Sequence, residues 1–232
     1  MKKILSILIF TFLISGFSQA QYYKPNMQLI VKGVMNAPFY EPISENTSDN
    51  AFIGFQVEPV VNLSSHWGIF GTFNMGFIPS KDIARPQGTG SFKYSVSNEY
   101  SGYGGARYYF APEDGRYIKV YVDAAAGVYS FNPSDAVFTS TTNPTYTKTF
   151  TFPGATQIGM NVGGGLNVNL SPGLFLNFGA RFHNLFKKSD QTLTSTVVYN
   201  NGTPTEETTV IQDIPNRNYL QITAGLGFRF GL

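Results

Sequence analysis

The chain contains no cysteine, which excludes a disulfide framework, thiol catalysis and any thiolate metal site. With two histidines beside that absence, no transition-metal site is expected either. Charge is scarce. Charged residues make up 13% of the chain, about half the roughly 25% of an ordinary soluble domain. Neither sign dominates, with 16 Lys and Arg against 14 Asp and Glu. A nucleic-acid partner, which needs a clustered basic patch, is therefore not expected. The apolar run Ile4–Ile14 spans about 11 residues, well short of the roughly 18 that a membrane-crossing helix requires.

That run has another explanation. Lys2 and Lys3 precede it, and Ser18, Gln19 and Ala20 follow as a small-residue cleavage site, so residues 1–20 read as a secretory signal peptide. No cysteine follows the run, so lipid attachment there is not expected. Cleavage would remove Lys2 and Lys3 and leave the two signs of charge equal. Residues 21–232 then form one domain.

What the chain does have is aromatic residues (16%), 24 glycines and a recurring alternation of period two. Successive side chains of a strand point to opposite faces. From Leu220 onward, Leu220, Ile222, Ala224, Leu226, Phe228 and Phe230 alternate with Gln221, Thr223, Gly225, Gly227 and Arg229. A tilted transmembrane strand needs about 9–11 residues, and this one has them. Similar segments run at about 26–37, 51–63, 67–78, 92–110, 116–131, 155–170 and 174–186. Their apolar faces include Ile53, Phe55 and Val57; Ile69, Phe73 and Phe77; and Ile118, Val120 and Val122. The fold class is thus all-β, an eight-stranded antiparallel up-and-down transmembrane β-barrel.

The connections support this. Ser64–His66, Ala111–Gly115 and Ser171–Gly173 are short and rich in turn formers. They alternate with long polar segments at about 38–50, 79–91, 132–154 and 187–216. Periplasmic turns and external loops differ in length in this way, and an even strand number puts both termini in the periplasm. The segment 132–154 itself alternates, so its hairpin is expected to extend beyond the membrane. A soluble ligand-binding barrel has the same period turned inside out. Against it stand a polar face rich in Gly and Asn, no helix-period segment after the strands, and Trp67, Tyr108, Phe110 and Phe230 near the turn ends, where an interfacial girdle belongs.

With these features in hand, the chain resembles the small outer-membrane barrels of OmpA-transmembrane-domain and OmpX type. The matching stretches are 102–110 (GYGGARYYF), 121–129 (YVDAAAGVY) and 225–230 (GLGFRF). The resemblance implies an outer-membrane location, contact with outer-membrane lipid, and recognition by the barrel assembly machinery during biogenesis. Members commonly end in Phe or Trp, whereas here Leu232 is last and the aromatic lies at Phe230.

Eight charged residues fall on polar strand faces: Lys32, Glu58, Glu99, Arg107, Lys119, Asp123, Arg181 and Arg229. An eight-stranded lumen is just wide enough for side chains to fill it. Charges there must pair, because an unpaired buried charge is costly. A plugging network is expected, with Arg107 and Arg229 serving Glu58 or Asp123; a selectivity network in a narrow pore is the alternative. His183, near the outer end of its strand, could act as a rim general base, though no nucleophile motif accompanies it. His66 falls in a turn. The glycine clusters Gly102/Gly104/Gly105 and Gly163–Gly165 lie within strand patterns and do not open a helix, so packing explains them better than phosphate binding. No catalytic residue, cofactor or metal ligand is assigned. The functional expectation is a non-enzymatic structural or surface-interaction barrel, with Thr- and Ser-rich loops as a possible extracellular ligand surface. The alternative is a narrow porin-like channel or solute-uptake barrel.

Overall fold

The computed structural model describes residues 26–38, 51–78, 83–84, 90–94, 97–110, 117–132, 136–140, 147–151, 155–186, 191–199, 205–211 and 217–230. Residues 1–20 and the turn Ala111–Gly115 lie outside them. The strands are β1 (Asn26–Pro38), β2 (Phe52–Asn62), β3 (Trp67–Ile78), β4 (Ile83–Ala84), β5 (Gly90–Tyr94), β6 (Ser97–Tyr109) and β7 (Ile118–Asn132). They continue with β8 (Ala136–Ser140), β9 (Thr147–Thr151), β10 (Ala155–Ser171), β11 (Leu174–Leu185), β12 (Gln191–Tyr199), β13 (Thr205–Ile211) and β14 (Arg217–Phe230).

Eight of them close on themselves in the order β1-β14-β11-β10-β7-β6-β3-β2, and every pairing is antiparallel. The closing seam joins β1 to β14, with Met27 opposite Phe230 and Pro38 opposite Tyr219. The register fixes the shape. From Gln28 the partners run Val60, Phe70, Gly105, Ala125, Asn161, His183, Tyr219 and back to β1 at Pro38, a stagger of ten residues. At ordinary strand spacing and rise, that stagger tilts the strands by about 40° and gives a backbone radius of roughly 8 Å.

Alternation then sorts the side chains. On β7, Ile118, Val120, Val122, Ala124, Ala126 and Val128 face out, and Lys119, Tyr121, Asp123, Ala125 and Tyr129 face in. Ile118 and Val128 remain 51% and 50% exposed. An apolar exterior of this extent, carried on seven of the eight barrel strands, is a lipid-facing belt and not a water-facing surface. At that tilt the ten-residue step between them spans about 25 Å, the height of the apolar band of such barrels. Above it the outward positions turn polar: Ser130, Asn132, Thr156, Asn184 and Asn218. At the other end Trp67 packs edge-on against Tyr108, ring centres 5.0 Å apart, and Tyr108 against Phe110 at 5.6 Å. This is the aromatic girdle at the turn end.

Two short turns show their chemistry. The Ser64 hydroxyl accepts hydrogen bonds from the His66 and Trp67 amides at 3.3 and 3.1 Å, closing the β2–β3 turn. The β10–β11 turn at Ser171–Gly173 follows a register shift between Asn169 and Ser171. Inside, Gly227 is required by close approach: a Cβ there would run into the Phe175 ring.

Two expectations need correction. Residues 92–110 do not form one strand. The segment Gly90–Tyr94 pairs with β8 in a second sheet, whereas Ser97–Tyr109 belongs to the barrel. The segment 187–216, read as loop, contains β12 and β13. Together β13-β12-β9-β8-β5-β4 make a six-stranded sheet built from the three long connections after β3, β7 and β11. The pairing of β8 with β9 is the hairpin expected in 132–154.

Candidate functional site

The lumen is filled where the charged side chains meet. Glu58 on β2 lies at the centre. Its Oε1 receives Lys32 Nζ from β1 at 2.9 Å and Arg107 Nη2 from β6 at 2.6 Å. Its Oε2 receives Arg181 Nη2 from β11 at 2.8 Å, Gln56 Nε2 at 3.0 Å and the Thr72 hydroxyl at 3.4 Å. Asp123 on β7 holds the other side. Arg181 grips it through Nε to Oδ1 at 3.0 Å and Nη2 to Oδ2 at 2.7 Å. Arg107 reaches the same Oδ2 through Nη2 at 2.9 Å and Nε at 3.3 Å. The five side chains are 0–5% exposed. Six of the eight barrel strands contribute to this one knot.

Aromatic faces complete it. The Arg107 guanidinium lies 3.9 Å from the centre of the Tyr121 ring and 5.1 Å from that of Phe70. The Arg181 guanidinium lies 4.8 Å from the centre of the Phe70 ring. Planar, weakly hydrated guanidinium groups suit both contacts, which lysine would not reproduce.

A second layer lies toward the long connections. The Arg181 Nη1 donates to the Tyr103 hydroxyl at 3.2 Å, and that hydroxyl donates to Gln221 Oε1 at 3.2 Å. Gln221 Nε2 donates to Asn36 Oδ1 at 3.1 Å. Glu99 accepts the Tyr219 hydroxyl at 3.1 Å. His183 is fully buried here, stacked on Tyr219 with ring centres 4.4 Å apart and planes 7° from parallel. Asn161 Nδ2 donates to the Tyr129 oxygen at 3.0 Å, and the same hydroxyl lies 3.0 Å from His183 Nδ1. His183 is thus packed inside the wall and not presented at a rim. His66 sits at the turn end with Nδ1 at 2.9 Å from the Ser65 hydroxyl and its ring stacked on Tyr108.

The floor, toward the short turns, is built from amides. Asn177 Nδ2 donates to the Tyr121 hydroxyl at 3.0 Å and to Asn167 Oδ1 at 2.7 Å. Lys119 is buried in the same layer, opposite Asn167 in register. Arg229 does not serve Glu58 or Asp123, contrary to expectation. Its Nη2 bonds Asn169 Oδ1 at 2.6 Å and its guanidinium covers the Phe175 ring at 4.8 Å. The reason is height: Arg229 opposes Gln28 near the turn end, while Glu58 opposes Ile30 further up.

Of the eight charged residues singled out in the sequence, the structure gathers Lys32, Glu58, Arg107, Asp123 and Arg181 into one cluster. It places Glu99 in the layer above, and Lys119 and Arg229 in the floor. Tyr103, Tyr219, Phe70 and Thr72 were not singled out. Their inward parity within the strand pattern is the signal that would have found them. Among the described residues no group of His, Cys, Asp and Glu could hold a metal ion.

Similarity in structure is extensive while similarity in sequence is slight. A major outer membrane protein from Thermus thermophilus superposes with a TM-score of 0.55 at 15% identity, covering 90% of this chain and 100% of that one. The outer membrane protein OprG from Pseudomonas aeruginosa gives 0.53 at 8% identity, covering 92% and 99%. The fold is that of a small outer-membrane β-barrel. No family model matches the sequence, and no curated protein does. At such identities the small-barrel likeness concerns the fold alone.

Proposed function

We propose that this is a non-catalytic outer-membrane barrel that works as a structural or surface-interaction protein, with its termini in the periplasm and its long connections outside. The observation that carries this reading is the crosslinked lumen. Glu58 and Asp123 are tied to Lys32, Arg107 and Arg181 across the bore, with side chains 0–5% exposed. A lumen closed at that level leaves the exterior and the long connections as the surfaces through which the protein acts. The apolar belt anchors it in outer-membrane lipid, the barrel assembly machinery inserts it, and the connections that build the six-stranded sheet meet any extracellular ligand.

Planar-bilayer recording of the purified full chain is the test. Incorporation without discrete current steps agrees with a plugged lumen. Steps of uniform size that change in Arg181→Gln would overturn the reading in favour of a narrow channel or solute-uptake barrel.

A further inference from the structure

The central cluster is not electrically balanced. Every ionic contact of Lys32, Glu58, Arg107, Asp123 and Arg181 falls within the group, and it pairs three cationic side chains with two carboxylates. Counted with Lys32 protonated, one positive charge is in excess within the group, and the third buried carboxylate, Glu99, lies in the layer above, where it accepts from Tyr219. An uncompensated charge in such a place is strongly disfavoured.

A second, independent feature lies at the same spot. Arg107 uses Nε and Nη2 for the two carboxylates, but its Nη1 is buried and bonds to nothing among the described residues. A guanidinium cannot shed its proton, so these hydrogens stay donors under all ordinary conditions. In the amide floor, Asn167 Nδ2 is buried without an acceptor and Asn177 Oδ1 without a donor, and the register partner of Asn167 is the cationic Lys119. Tyr121, whose ring lies against Arg107, occupies the inward position between Asp123 and Lys119 on β7.

We propose that the lumen binds a small monovalent inorganic anion of the halide class at Arg107 Nη1, between the carboxylate knot and the amide floor. Such an ion answers both deficits together: it supplies the missing negative charge and accepts from the orphaned Arg107 Nη1. A divalent anion would replace the excess by a deficit. A lumen already filled by side chains favours a single-atom ion over a larger oxyanion.

The test uses the full chain in lipid, unfolded by urea in sodium chloride or in sodium gluconate of equal ionic strength, together with anomalous diffraction from bromide-soaked crystals. The expected result is a higher midpoint in chloride and a bromide peak within hydrogen-bond reach of Arg107 Nη1. Lys32→Met, which removes the excess charge, should lose both the chloride dependence and the peak. Equal midpoints and no peak in the unaltered protein would overturn the proposal, leaving water or a neutral Lys32 to balance the cluster. A peak with equal midpoints would mean an adventitious ion only. Full chloride dependence in Lys32→Met would show that charge excess is not the cause. The measurements on the unaltered protein decide the matter even if that variant does not fold.

Discussion

At the scale of single residues, the interior charges differ in what their loss should do. Glu58 accepts from three cations, so Glu58→Gln would leave Lys32, Arg107 and Arg181 facing one carboxylate. Breaking a buried ionic group from one side costs about 3–5 kcal/mol. Arg229 bonds a neutral amide at a partly buried position, so Arg229→Ala should cost about 1–3 kcal/mol, as for one hydrogen bond to a charged group. Urea unfolding in lipid vesicles of both variants ranks them, and equal losses would contradict the separation of cluster from floor. Replacing Arg107 by Lys should not restore stability. The flat contact with Tyr121 and the two-carboxylate grip both need the guanidinium fork.

At the scale of elements, the strand pattern was highly legible and the hydrogen-bond partners were not. Alternation predicted the inward and outward faces of β2, β3, β7, β11 and β14 because each strand separates lipid from lumen along its whole length. Beyond the membrane no such division is enforced. Phe92–Tyr94 therefore reads as continuous with Ser97–Tyr109, although the two segments pair in different sheets. The Thr-rich segments of β12 and β13 read as loop because their polarity masks the strand preference of threonine. The gathering of Lys32, Glu58, Arg107, Asp123 and Arg181 was legible only as shared parity. Which of them meet depends on the ten-residue stagger, and no single strand encodes that.

Two predictions belong to this scale. An arginine on the outward face at mid-belt, Ala124→Arg, should destabilise the barrel in lipid by about 2–4 kcal/mol, whereas Asn132→Arg above the belt should cost about 0–1 kcal/mol. Comparable losses at the two positions would contradict the belt boundaries. Gly227→Val should clash with the Phe175 ring and cost about 1–3 kcal/mol by overpacking. Adding Phe175→Ala should recover part of that loss. A double-mutant cycle with no coupling would remove the close-approach explanation for Gly227.

At the scale of the whole molecule, the seam between β1 and β14 joins the first and last strands of the barrel along twelve register pairs. The cluster inside draws on β1, β2, β6, β7 and β11, and so joins side chains from residue 32 to residue 181. Until the seam zips, Glu58 and Asp123 have no enclosed bore in which to meet all three cations, and the polar faces of the strands would confront hydrocarbon. Insertion, closure and ion pairing are thereby bound into one cooperative event. A chain stalled before its final strand would carry its lock in pieces, with nothing to turn it.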